Sequence, residues 1–142
     1  MFLFLLIFTT LFISPISSTK WDQFTFDFTI TCKFNDKPMY WYRVRFFEED
    51  MMSSDDPITP IYEENYYSGT IRRTFLGEMD GDGPLATKYT MYASFHHDCT
   101  IDGKRVKVDY HFAQVCWVGQ SCFKRYDADL TDRSGWINVH DV

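Results

Sequence analysis

The sequence predicts an all-β protein, an antiparallel β-sandwich of about seven short strands, on three observations. Phe24, Phe26, Phe28, Ile30, Cys32 and Phe34 alternate with polar residues, the period of a strand with one buried face and one wet face. Turn signals such as Asn35-Asp36-Lys37-Pro38 and Asp102-Gly103 separate runs rich in aromatic and β-branched residues. No stretch sustains a 3.6-residue apolar period.

Residues 1–18 stand outside this pattern. Residues 1–13 are nearly all Phe, Leu and Ile, and Ser14-Pro15-Ile16-Ser17-Ser18 adds a helix break and small residues suited to cleavage. The run falls short of the ~20 residues that span a bilayer. It therefore reads as a signal peptide, although its start lacks the usual Lys or Arg. Residues 19–142 are expected to form one secreted, extracellular domain with no transmembrane segment. The formal net charge of −6 falls wholly on that part, because residues 1–18 carry no charged side chain. An acidic chain without a long basic block argues against a nucleic-acid partner.

The strands follow in order. Residues 24–34 form the first. Residues 39–47 form the second, with Tyr40, Tyr42, Val44 and Phe46 on one face and Met39, Trp41, Arg43, Arg45 and Phe47 on the other. An acidic loop covers residues 48–56. Pro60 limits residues 58–67 to an edge strand at best, and residues 70–76 form a short strand before an acidic, glycine-rich loop over 77–84. Residues 87–95 alternate again, with Tyr89, Met91, Ala93 and Phe95 inward. Residues 105–118 slip phase by one between Phe112 and Ala113, which marks a β-bulge or two strand pieces. A last short strand covers residues 135–140.

Cys32, Cys99, Cys116 and Cys122 make an even set, which reads as two disulfides in an oxidising compartment. Three connectivities are open. A turn at Gly119-Gln120 would let Cys116 meet Cys122, which leaves Cys32 with Cys99. The spacing lacks the Cys-x-x-Cys pairs of a zinc site, so neither metal nor cofactor is expected.

Three landmarks stand in order: Ile30-Thr31-Cys32 before Asp36-Lys37-Pro38, then residues 44–50 with Asp55-Asp56-Pro57, then residues 89–95 ending in His97-Asp98-Cys99. This order resembles the nematode transthyretin-like family over residues 25–99, with Asp36 in place of its usual glycine and Ile30 in place of its leucine. The resemblance implies a transthyretin-like (prealbumin-like) sandwich acting outside the cell as a non-enzymatic binding or signalling protein. The C-terminal tyrosine-arginine-glycine-serine of transthyretin's enzymatic relatives is missing from the end Ile137-Asn138-Val139-His140-Asp141-Val142.

His96, His97, Asp98 and Cys99 form the densest cluster of acid–base groups. A strand sends His96 and His97 to opposite faces, so one points inward, and the pair does not make a metal site. A secreted hydrolase using His96 or His97 as base is the rival reading. Residues 78–83 open like a calcium loop but lack its closing glutamate. The more promising surface is basic and aromatic. Trp41, Arg43 and Arg45 share one strand face, and Lys104, Arg105, Lys107, Lys124 and Arg125 converge on it if the fold allows. Tryptophan and arginine are the usual anchors of binding surfaces. The expected partner is an extracellular protein or an anionic cell-surface ligand.

Overall fold

The computed structural model describes residues 21–51, 53–81 and 85–140. The signal-peptide reading of residues 1–18, and residues 82–84 of the glycine-rich loop, lie outside them. Eleven strands, three of them only two residues long, form the described chain, which contains no helix. They are β1 (Asp22–Cys32), β2 (Met39–Glu48), β3 (Asp56–Pro57), β4 (Tyr62–Tyr67), β5 (Gly69–Met79), β6 (Lys88–Tyr89), β7 (Met91–His97), β8 (Val106–Phe112), β9 (Cys116–Trp117), β10 (Cys122–Asp129) and β11 (Gly135–Val139).

A three-stranded sheet runs β10-β1-β5. A six-stranded sheet runs β11-β8-β7-β2-β3, with β4 also paired to β2, and β6 pairs with β9. The two larger sheets pack face to face through rings. Phe26 of β1 stacks on Phe46 of β2 with centroids 4.2 Å apart, and Phe112 of β8 stacks on Tyr126 of β10 at the same distance. The even residues of β1 from Phe24 to Cys32 all enter this core, as their alternation requires.

Two expectations need correcting. The sandwich is not wholly antiparallel, since β10 runs parallel to β1 and β11 parallel to β8. The chain crosses from the large sheet at β8 to the small one at β10 and back at β11, so these strands sit beside distant segments and not beside hairpin partners. The third strand is also longer than residues 70–76. It continues through Gly77 and Glu78 to Met79. Glycine there reads as a breaker, but it serves a close approach. A Cβ at Gly77 would lie 2.5 Å from the Ile58 carbonyl oxygen, and that oxygen accepts a hydrogen bond from the Glu78 amide at 3.1 Å. Residues 62–67 do form an edge strand, β4. The phase slip after Phe112 resolves as two pieces, β8 and β9.

Disulfides join Cys32 to Cys99 and Cys116 to Cys122. The first ties the end of β1 to the segment following β7, and so one sheet to the other. The second closes the turn between β9 and β10.

On the outer face of the small sheet, Asp27 is clamped by two cations. Arg72 of β5 bonds it through both Nε (2.9 Å) and Nη2, and Nε of Arg125 in β10 donates to it at 3.1 Å. The Arg72 contact dominates, Arg125 adds to it against burial, and the carboxyl pKa falls to about 2.

The bridge lengths give unequal stabilities. Closing the 67-residue separation constrains the unfolded chain by about 4 kcal/mol and the 6-residue one by about 2 kcal/mol in the chain-entropy account. Urea unfolding should therefore find the Cys32→Ala/Cys99→Ala double variant the weaker of the two double-alanine pairs. A second outcome concerns Gly77. Gly77→Ala should lower stability by about 1–3 kcal/mol through steric overpacking against the Ile58 backbone, whereas the same change at exposed Gly119, where a Cβ meets nothing, costs only its backbone strain.

Candidate functional site

The outer face of the large sheet is built by register. In β2 the inward Tyr42, Val44 and Phe46 are buried in the core, which turns Trp41, Arg43, Arg45 and Phe47 outward. Antiparallel pairing sets Arg43 opposite His96 and Arg45 opposite Ser94. On the far side of β7, His96 faces Lys107 and Ser94 faces Asp109 of β8. Cross-strand partners lie ~5 Å apart at Cβ and diagonal ones ~7 Å, so four polar heads share one small patch.

The patch is concave. Arg43, Arg45, Ser94 and His96, with Phe47 and Ile61 as apolar walls, line a cavity of about 190 Å³. Nε of Arg45 donates to the Thr59 carbonyl at 3.1 Å. Among the described residues neither Arg43 nor Arg45 has a carboxylate within 4 Å, and the Ser94 hydroxyl and His96 imidazole form no hydrogen bond. Burial lowers the His96 pKa from its ordinary value, and the charges of Arg43 and Lys107 lower it further.

Trp41 lies on this face as its position in β2 demands, yet it is only 8% exposed. Its indole Nε1 donates to Glu63 Oε1 at 2.8 Å, and the Arg105 guanidinium lies over its ring at 4.0 Å. Trp41 therefore supports the patch from beneath, and the arginines present it. Of the cations noted in sequence, Arg105 and Lys107 do converge here. Lys107 is bound to Asp109 at 2.8 Å, and Lys104 is taken by Asp102. Lys124 and Arg125 belong to the other sheet, where Arg125 holds Asp27.

The rest of the outer face is aromatic. Phe47, Tyr92, His111 and Trp136 stack in a row across β2, β7, β8 and β11. The acidic loop folds over it, with Asp55 Oδ2 accepting the Tyr92 hydroxyl at 2.7 Å.

His97 is the inward histidine, fully buried, with Nε2 3.0 Å from the Arg133 carbonyl oxygen and Nδ1 unpaired. Burial lowers its pKa, and burial also lowers that of His111. His111 is then neutral near pH 7, so its 3.7 Å approach to Glu49 is no ion pair there. Among the described residues no three His, Cys, Asp or Glu side chains gather in a metal-holding group, and no helix is long and apolar enough to cross a membrane.

Together these features define an all-β, disulfide-bonded sandwich that presents a basic pocket on its larger sheet. No protein-family model, curated protein or solved structure matches this chain. Ser94, Phe47 and Ile61 are pocket residues that sequence reasoning did not single out. The alternation of residues 87–95 puts Ser94 and His96 on one face, but only the register to β2 sets them opposite Arg45 and Arg43.

Two pH windows follow from these environments. Histidines with lowered native pKa values are neutral in both states above pH 6.5 and contribute no loss there. As pH falls below 6.5 the unfolded chain takes up protons that His96, His97 and His111 refuse, so stability falls. Asp27 acts in the same direction in a lower window. Its contribution is complete above its unfolded value of 3.8 and is lost as pH drops from there through about 2. Urea midpoints between pH 8 and 2 should show both falls, and His97→Gln should flatten the slope of the upper one.

Proposed function

We propose that this is a secreted, non-enzymatic binding protein of the transthyretin-like class, which engages an anionic extracellular partner through the outer face of its larger sheet. One observation carries this reading. Arg43, Arg45 and Arg105 gather on that face without a carboxylate partner among the described residues, in a chain of net charge −6. Seven other basic side chains do have acidic partners: Lys33, Lys37, Arg72, Arg73, Lys104, Lys107 and Arg125. A guanidinium kept from the available acids is free to bind an external oxyanion in a two-pronged fashion. The two disulfides and the apolar residues 1–18 support an extracellular setting.

The hydrolase alternative draws on one real feature, that His96 shares the pocket with two arginines. Ser94 and Asp109 also lie nearby, but catalysis needs these groups linked. No hydrogen bond joins His96 to Ser94 or to Asp109, and Asp109 is held by Lys107. His97 is closed in the core. These points favour binding over turnover.

Purified protein should bind intact cells and vesicles containing phosphatidylserine, with affinity falling as salt rises. Basic residues near such a surface contribute ~1 kcal/mol each, so Arg43→Glu/Arg45→Glu should weaken binding by at least about tenfold. Lys33→Glu on the other sheet should leave it unchanged. Equal binding by the parent and the Arg43→Glu/Arg45→Glu variant would remove this face as the site, and turnover of p-nitrophenyl acetate that His96→Gln abolishes would favour the enzyme.

A further inference from the structure

Resting on the same face, we infer that the cavity between β2 and β7 is a ligand site for an organic oxyanion, a sulfate or phosphate headgroup carried on a small apolar body. The arginines alone would mark only a basic surface. The independent observation is Ser94. It is 6% exposed, its hydroxyl lines the cavity, and it has no hydrogen-bond partner among the described residues. The residue is otherwise enclosed, so its hydroxyl presents a donor and an acceptor to a group seated in the cavity.

The chemistry of the lining selects the ligand. Arg43 and Arg45 supply forked donors, Ser94 a hydroxyl and His96 an imidazole, and none of these is a fixed negative group. A cation is therefore disfavoured and a tetrahedral or planar oxyanion favoured. Phe47 and Ile61 form the remaining wall, and Ile61 is exposed although apolar, so the anion carries an apolar substituent toward that side. At about 190 Å³ the cavity is smaller than the ~300–1,000 Å³ that enclose drug-sized ligands. It takes a headgroup and the first part of its substituent, and the remainder of the ligand projects outward. Such a group can belong to a lipid or to a free organic anion.

Binding is coupled to a proton. The charged groups facing His96 are Arg43 and Arg45 from β2 and Lys107 from β8, with Asp109 the one nearby acid on β8 and Glu63 of β4 opposite Arg43. The cations disfavour imidazolium in the empty site. An anion seated among them reverses that balance, so the complex takes up a proton and binding strengthens as pH falls from 8 to 5.

Phenyl sulfate is the probe, because its charge does not change over that range. Titration into the purified protein, followed by calorimetry and by the His96 ring resonances, should saturate near about 1 mM at neutral pH. It should raise the His96 pKa and tighten severalfold toward pH 5. Inorganic sulfate should bind at least about tenfold more weakly for want of the apolar body, and benzyl alcohol should not move the His96 signal. Arg43→Gln/Arg45→Gln should reduce phenyl sulfate affinity by at least about tenfold, and Ser94→Ala by severalfold. If the double arginine variant fails to fold, His96→Gln serves instead, and it should abolish the pH dependence while keeping most of the affinity. Displacement of the protein from phosphatidylserine vesicles by phenyl sulfate assigns the headgroup to a lipid. Phenyl sulfate binding without vesicle binding assigns it to a free anion and sinks only the cell-surface reading. The site is overturned if phenyl sulfate leaves the His96 resonances unmoved at 10-fold the expected ~1 mM, or if benzyl alcohol binds as well as phenyl sulfate.

Discussion

The ring of Phe28 is the contact on which the sandwich depends. It lies in the middle of β1 and meets Phe46 of β2, Phe75 of β5, Phe95 of β7, Phe112 of β8 and Tyr126 of β10, with centroids 5.3–6.3 Å away. One side chain therefore touches five other strands from both sheets. Burying a phenylalanine stabilises by ~1.5–3 kcal/mol and each favourable ring pair adds ~0.5–1.5 kcal/mol, so this node outweighs any single polar contact in the molecule. Its consequence is geometric. With the inward row of each central strand committed to aromatic packing, the outward rows are free to carry charge.

Those outward rows differ in how they settle their charges. On the small sheet Arg72 and Arg125 share the Asp27 carboxylate. On the large sheet Asp109 takes Lys107 and Glu63 takes the Trp41 indole, which leaves Arg43 without an acid although Glu63 is its cross-strand partner. Glu63 Oε1 is turned to the indole of Trp41, and no ion pair forms between Glu63 and Arg43. Trp41 is largely covered, with the Arg105 guanidinium over its ring and its indole on Glu63.

The alternation in β1, β2 and β7 made the buried faces legible, because a two-residue period is a property of one strand alone. The register and partner of each strand were not legible, for they depend on contacts between distant segments. Hence β11 read as a strand but not as a parallel neighbour of β8, and β10 was not read as a strand at all, since Lys124 interrupts the inward row Cys122, Tyr126 and Ala128. Gly77 misled for a related reason. A glycine in isolation signals a turn, and only the Ile58 backbone beside it shows that it continues β5. The same limit governed the pocket. Arg43, Arg45 and His96 were each conspicuous, yet nothing in the chain order placed His96 opposite Arg43, and Ser94 is an unremarkable serine until Arg45 is set beside it.

A site on two central strands has a physical advantage over one on the loops. The backbones that carry Arg43, Arg45, Ser94 and His96 are fixed by ladder bonds on either side and by Val44, Ala93 and Phe95 packed beneath them. Little ordering entropy remains to be lost at the backbone when a ligand arrives. The empty pocket instead holds its cost in the polar groups. Two guanidiniums on one face repel each other without a counter-ion. A core that packs as tightly as this one can bear that local cost, and an anion that satisfies Ser94 and both arginines at once recovers it as affinity.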